Sequence, residues 1–421
     1  MNKTLKDSPN FCVAPWMHLH IIPDGKAFAC CQTPISDVNS FGNIKTQHIT
    51  EIINSAKAKQ MRKDMLDNKP LPDSCHRCKD KQEHNLNTMR VGLNNKWFDD
   101  TYNIINQTAD DGTISEVRLK YWDFRFSNYC NIACVTCSPL FSTSWAADWI
   151  KLYPQWDHSE TKLKDLNDAS MFWEYIENNL DSAEQIDFAG GEPLIMPEHW
   201  KLLEMLDNKK KYNLTLKYST NATTLGKERQ DVLSQWKKFD HVHLSLSIDG
   251  YEDSFEYIRY KGKWSSVFEN LKKIRNSGVV DYWIHPTVSL LNIFRLTELH
   301  KILHDNDIIP LERIHHKKGF NMENYWTDRF HLNPLFTPDY SSITVLPPKL
   351  KILAAEKISF YGKELNKKYG IPYNGWQNII DFMYQRDNSH LWEKFLSETK
   401  KLDTIRGTDI FSINPEFKNA Y

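Results

Sequence analysis

Beyond Cys137 the chain has no cysteine: all eight lie within the first 137 of its 421 residues. A disulfide framework would not leave most of a chain empty. No apolar run approaches the ~18 residues of a membrane-spanning helix. The first ten residues, Met-Asn-Lys-Thr-Leu-Lys-Asp-Ser-Pro-Asn, contain no apolar stretch of the signal-peptide kind. Net charge is absent too: 53 basic against 54 acidic residues leave −1, so no global field recruits nucleic acid or an anionic membrane. These absences point to a cytoplasmic protein without nucleic-acid or membrane partners, in which clustered thiols stay reduced and act as metal ligands. The length suits two or three domains, each with its own core. Aromatic residues make up 13%, including fourteen Trp, which points to substantial cores and an aromatic substrate channel.

Three of the cysteines, Cys130, Cys134 and Cys137, fall in the stretch from Ser127 to Ser138. They follow an alternating, aromatic-rich run, Val117–Phe126, that reads as a strand. Three thiolates on one loop hold three irons of a cubane cluster and leave the fourth open to chelate a small molecule. The other reading is structural zinc. Zinc favours four ligands in two short pairs, whereas this loop supplies three and the next histidine, His158, lies well beyond it. The spacing of three and then two intervening residues resembles that of the radical S-adenosylmethionine (radical SAM) superfamily. The resemblance implies a SAM-binding 4Fe–4S cluster on Cys130, Cys134 and Cys137. The residue before the third cysteine, often aromatic in that family and packed near the adenine, is Thr136 here.

Residues 11–80 carry a second set of thiols. Phe11-Cys12-Val13-Ala14-Pro15-Trp16 leads into an alternating segment, His18–Ile22, then a Pro23-Asp24-Gly25 turn, then Lys26–Cys31, the pattern of a hairpin. The spacing returns Cys30 beside the hairpin start, near Cys12. A helical stretch over about 50–68 is broken by Pro70 and Pro72 before Cys75-His76-Arg77-Cys78. Cys12, Cys30, Cys75 and Cys78 make a closed four-thiolate set, suited to a 4Fe–4S cluster or to zinc, with Cys31 as an alternative to Cys30. The entry, the Gly-to-Cys spacing and the Cys-x-x-Cys resemble the auxiliary-cluster module called SPASM, or its shortened form, twitch. That module follows the barrel in most relatives and precedes it here, and one ligand set implies one auxiliary 4Fe–4S cluster.

Residues 81–115, polar and rich in Asn and Asp, read as a connector. From Val117 strands and helices alternate, the signature of parallel β/α units. Candidate strands are Val117–Phe126, Gln185–Ala189, Leu214–Ser219, Val242–Ile248, Tyr282–Leu290 and Leu311–His316. The expected fold is α/β: a partial (β/α)6 TIM-like barrel over 115–335, an N-terminal cysteine-rich hairpin-and-helix module over 1–100, and a C-terminal helical extension over 336–421. Within the extension, helices are expected from Pro348 to Tyr369 and from about Gly375 to Lys401.

Further motifs fall at strand ends. Gly190-Gly191-Glu192-Pro193 closes the second strand; paired glycines admit a ligand close to the backbone. In the radical SAM family this turn binds the SAM amino group. Ser219 and Asn221 end the third strand, either as helix caps or, by resemblance, near SAM. Ser245-Leu246-Ser247-Ile248-Asp249-Gly250, with Arg259 beyond, resembles a signature of the SPASM and twitch branch. It implies Ser247 at the ribose and Arg259 as a bidentate partner of the SAM carboxylate; the other reading of Arg259 is a solvated surface charge. Asn292, after the fifth strand, is a candidate for the adenine edge. Such loops converge at the C-terminal rim of a β/α barrel.

The resemblance implies reductive cleavage of SAM to a 5′-deoxyadenosyl radical, which abstracts hydrogen from a peptide or protein substrate for an oxidative modification. A flavodoxin- or ferredoxin-type partner would supply electrons. The alternatives are a radical SAM dehydrogenase of a small molecule and a non-catalytic iron–sulfur electron carrier. His18, His20, Asp123, Arg125, His243 and His285 are candidates for an acid or base.

Overall fold

The Asp24-Gly25 turn follows from its residues. Gly25 takes a φ of 90°, and Asp24 Oδ1 accepts from the Lys26 amide at 3.0 Å, a turn that favours glycine and a short side-chain acceptor. In the computed structural model, which describes residues 3–83, 88–226, 231–310, 312–314, 325–327, 329–369 and 374–420, the turn joins β1 (His18–Ile21) and β2 (Lys26–Phe28) in an antiparallel hairpin. A short β3 (Gly42–Asn43) extends it.

The other edge of β1 is not left open. It pairs in parallel with β4 (Tyr121–Phe124), His18 opposite Tyr121 through to Ile21 opposite Phe124. From there β5 (Gln185–Phe188), β6 (Thr215–Thr220), β7 (His241–Leu246) and β8 (Asp281–Ile284) follow in parallel. The sheet has the order β3-β2-β1-β4-β5-β6-β7-β8. Helices Ser170–Asn179, Pro197–Asn208 and Val232–Trp236 make the next three crossovers; Glu252–Ile258 and Trp264–Ser277 make the last. This is the expected parallel α/β architecture, with one change in how its strands are supplied. The sixth parallel strand is β1, from the N-terminal module, and not residues 311–316. After β8, β9 (Thr287–Val288) pairs with a later strand, and β10 (Glu312–Ile314) pairs antiparallel with β11 (Tyr325–Thr327) in a separate ribbon. The partner of β9 is β12 (Asn333–Pro334). Residues 311, 315 and 316 lie outside the described residues.

The two faces of the sheet differ as strand alternation requires. Trp122, Ile186, Leu216 and Val242 stand side by side and are buried. One residue on, the other face carries a cross-strand polar row, His20, Asp123, Asp187, Lys217, His243 and Asp281. The apolar core is continuous from Phe11 to Ala420, and Trp16, Trp97, Trp122 and Trp236 are almost wholly buried in it.

Two stretches differ from expectation. Residues 81–115 are more than a connector: Thr88 caps a helix, Met89–Asn106, that buries Leu93, Trp97 and Phe98. The second helix of the extension is two helices, Asn374–Gln385 and Trp392–Arg406. The latter ends at Gly407 with φ 68°, a left-handed C-terminal stop. Among the described residues no helix is long and apolar enough to cross a membrane.

Candidate active site

The cysteine loop leaves β4 and is held from both sides by hydrogen bonds to its backbone. Gly191 N donates to Ser127 O at 3.0 Å and Glu192 N to Tyr129 O at 2.9 Å, so the glycine turn after β5 lies directly on the loop. From the far side Ala133 N donates to Tyr260 O and Val135 N to Ile258 O, both at 2.8 Å. Trp145 Nε1 caps the Cys134 carbonyl at 2.8 Å. Asn128, fully buried, donates to the carbonyls of Pro139 and Lys162 and accepts from Lys164 N. A loop whose polar groups are so fully paired is rigid, as a site that must hold three thiols in register requires.

The strand-end loops meet in one cavity of about 810 Å³. Cys130, Cys134 and Cys137 line it, together with Gly190, Gly191, Ser219, Asn221, Ser247 and Arg259. The sequence motifs, scattered over 130 residues of chain, therefore form one wall system. Glu192 and Pro193 stand behind that wall. The Glu192 carboxylate is buried and accepts from Thr220 Oγ1 at 2.7 Å, Asn221 N at 2.8 Å and Leu194 N at 3.2 Å. Burial pushes it up to about 7, against these hydrogen bonds. It ties the glycine turn to the end of β6 and leaves the glycine backbone facing the cavity.

Arg259 is likewise held. Asp249 takes its Nε at 2.7 Å, and its Nη1 lies 3.4 Å from Cys134 Sγ. Asp249 in turn accepts from Thr287 N at 2.7 Å. Asn221 Nδ2 points at Cys130 Sγ, 3.9 Å away. Asn292 does not reach the cavity: it is fully buried, donating to Asp249 O and Thr287 O and accepting from Ser289 N. The aromatic channel is also not realised, since Phe141 is the one Phe, Tyr or Trp among the described lining residues. The tryptophans serve the core.

The thiols suit a cluster with one open iron. Burial raises all three, Cys130 and Cys137 to about 12, with each of these two also raised by the neighbouring Cys134. They hold protons that a bound metal would displace. The Arg259 and Asn221 N–H groups then offset charge on the sulfurs.

In the N-terminal module Cys12 lies within electrostatic reach of Cys30, Cys75 and Cys78. Burial pushes Cys75 to about 12. Among the described residues no three His, Cys, Asp or Glu converge as tightly as one metal ion needs; a cubane spreads its ligands over four irons and asks for less convergence. Cys31 faces elsewhere. It lines the main cavity, with Arg125 and Asp123 as charged neighbours and Met89 Sδ 3.8 Å from its sulfur. Among the lining residues that sequence reasoning missed, Thr287 and Phe141 belong to no spaced motif, while Thr220 lies between the two strand-end residues it did single out.

A parallel partial barrel that gathers three thiols and a Gly-Gly turn at its strand ends makes a candidate iron–sulfur site beside a cavity for a small ligand. Two family models match in the same places: the SPASM iron–sulfur cluster-binding domain over residues 12–79 and the radical SAM superfamily over residues 124–298. Residues 124–298 are thus a radical SAM domain and residues 12–79 a SPASM module, the pairing of the SPASM/twitch branch. The chain's cofactors are accordingly SAM, the 4Fe–4S cluster that binds it and auxiliary iron–sulfur.

Among curated proteins, an uncharacterized protein of Methanocaldococcus jannaschii is 26% identical over 192 residues, 44% of this chain and 58% of that protein. Mycofactocin maturase MftC of Mycobacterium tuberculosis is 25% identical over 178 residues, 42% of this chain and 39% of MftC. The chain thus spans less than two-thirds of either relative. Solved structures include SuiB of Streptococcus suis bound to precursor peptide SuiA, 13% identical over 83% of this chain and 71% of SuiB, TM-score 0.37. Native anSMEcpe with bound AdoMet is 16% identical over 59% of this chain and 61% of that one, TM-score 0.34.

Proposed function

We propose that this enzyme cleaves SAM reductively and uses the radical to oxidise a peptide or protein substrate, within a barrel over 115–335 served by an auxiliary module over 1–100 and capped by 336–421. The observation that carries the reading is the single cavity on which Cys130, Cys134, Cys137, the Gly190-Gly191 backbone, Ser219, Asn221, Ser247 and Arg259 converge. When bound, the cluster and SAM supply a 5′-deoxyadenosyl radical that takes a hydrogen atom from the substrate. The chain's own part is to position and to shield. The glycine backbone presents its carbonyls to the methionine end of SAM, with Glu192 bracing them from behind. Ser219 and Ser247 offer hydroxyls to the ribose, and Arg259 sets its guanidinium between Asp249 and Cys134. Cys12, Cys30, Cys75 and Cys78 would hold the auxiliary cluster, with a flavodoxin- or ferredoxin-type protein as electron donor.

The branch is rich in enzymes that modify ribosomally made peptides, and the curated relative with a named activity is a maturase. Both favour a peptide or protein over a free small molecule.

The test is anaerobic reconstitution, followed by dithionite and SAM, with 5′-deoxyadenosine and iron measured together. About eight irons per chain with deoxyadenosine formed is the expected result. About four irons with cleavage would return the N-terminal site to zinc. Clusters without any cleavage, even with candidate peptides added, would leave an electron carrier in place of an enzyme.

A further inference from the structure

We infer that Arg125 is the anchor for a carboxylate of the substrate, which makes the substrate an acidic one; the inference rests on the radical SAM reading of the cavity. Arg125 follows β4 and shares the inner face with Asp123, two residues earlier. Asp123 is fully buried. Its two oxygens hold Arg125 Nε at 3.0 Å and His20 Nδ1 at 2.9 Å, so the guanidinium is fixed from behind while its side chain remains 20% exposed at the cavity it lines.

What distinguishes Arg125 is an unused part of its fork that faces a cavity. Arg406 also leaves Nη1 and Nη2 without an acceptor, but buried between the rings of Trp145 and Tyr260, whereas Arg62 donates from Nε to Gly112 O, from Nη1 to Pro15 O and from Nη2 to Asn54 Oδ1. Arg90 gives Nε to Gln82 and Nη1 to two backbone carbonyls. Among the described residues none accepts a hydrogen bond from either terminal nitrogen of Arg125. Two parallel N–H groups, fixed in place and facing a cavity, match a carboxylate bidentately.

The surroundings favour the same ligand. Among the described lining residues there is no Asp or Glu, whereas Arg77, Arg125 and Arg259 all line the cavity. Arg259 is committed to Asp249 and Cys134. Arg125 instead stands between the glycine turn and the module. An added Cβ on Gly190 would lie 3.4 Å from Arg125 Cβ, and Cys31 is close enough to feel its charge. That is where a substrate presented beside SAM would lie.

The experiment uses reconstituted enzyme with SAM and pairs of short labelled peptides, binding read by fluorescence anisotropy. One arm compares internal Asp or Glu with Asn or Gln in peptides with amidated ends; the other compares a free with an amidated C-terminus. We expect one arm to show an acid preference of about tenfold or more, the scale of a charge-assisted bidentate pair, and so to locate the carboxylate. Arg125→Gln is expected to abolish that preference. Arg125→Lys, which keeps the charge and so protects buried Asp123 and the fold, is expected to cut it severalfold because the fork is lost. Equal binding of acid and amide peptides by the wild type overturns the anchor, as does a preference that survives both substitutions. A loss of SAM affinity in the variants with acid preference intact would reassign Arg125 to the cofactor. If the wild type forms 5′-deoxyadenosine yet shows no acid preference, the anchor alone fails. If it forms none, the radical SAM reading fails with it.

Discussion

A methyl group on residue 191 would stand 2.1 Å from the Tyr129 carbonyl oxygen and 2.9 Å from the Asn128 carbonyl carbon. Both neighbours are backbone of the cysteine loop and cannot yield as a flexible side chain would. Gly191→Ala is therefore expected to push the loop off the turn and cost about half of the bound iron, with the auxiliary share retained. Iron analysis and visible absorbance check it; an unchanged iron content would refute it. Adjacent Gly190 takes a φ of 117°, which a side chain tolerates poorly. The Gly-Gly-Glu-Pro turn was legible in the sequence, but which of its atoms meets the ligand was not. Glu192 turns inward because three donors on β6 and its own loop await it, and those partners lie up to 29 residues away. The sequence reading put Asn292 at the adenine edge, and missed its burial for the same reason, since that burial depends on Asp249 and Thr287.

The helix Trp392–Arg406 carries no motif, yet it supports the cysteine loop. Arg406 lies between the rings of Trp145 and Tyr260, 4.6 and 4.3 Å from their centroids, and its Nε meets Asp148 at 2.9 Å with the side chain 1% exposed. Trp145 is the residue that caps Cys134. Removing a partner from a buried ion pair leaves an uncompensated charge, so Arg406→Ala is expected to lower stability by about 3–5 kcal/mol. Arg406→Lys should restore little, because an ammonium neither stacks flat nor forks. Urea denaturation of the cluster-free chain, followed by tryptophan fluorescence, measures both; a loss below about 1 kcal/mol, the scale of an exposed pair, would deny the helix this role. The sequence reading ran this helix together with the one before it, over about 375–401. Its contact with Asp148, 258 residues earlier, could not be read.

For the molecule as a whole, buried histidines set the response to acid. Burial pushes His18 and His285 down to about 4 and His199 to about 3. The unfolded chain therefore takes up these protons first, near pH 6.5, and stability is lost as pH falls from there toward the folded values. Glu192, Asp187 and Glu198, all raised by burial, act in the opposite sense over part of the range, while His304 is lowered like the other three histidines. We expect the urea midpoint of the cluster-free chain to fall between pH 6.5 and pH 5. His199→Phe should reduce the slope by about 1.4 kcal/mol per pH unit, one proton's worth. A slope unchanged by that substitution would show that His199 is not held neutral.

The sequence by itself determined the chemistry of this protein. Cysteine spacing, a Gly-Gly turn and strand-end polar residues are local patterns, because a loop of a dozen residues must carry its own ligands and a tight turn its own glycine. Only the tertiary structure decided how these pieces are assembled. It put β1 of the module beside β4 as the sixth parallel strand, because an open sheet edge must be paired or covered. That one pairing brings His20 to Asp123 and Arg125 and turns the module into a wall of the same cavity. Cross-strand partners 103 residues apart, such as His18 and Tyr121, leave no periodicity in the sequence. They are selected by the burial of whole faces, which no local stretch contains.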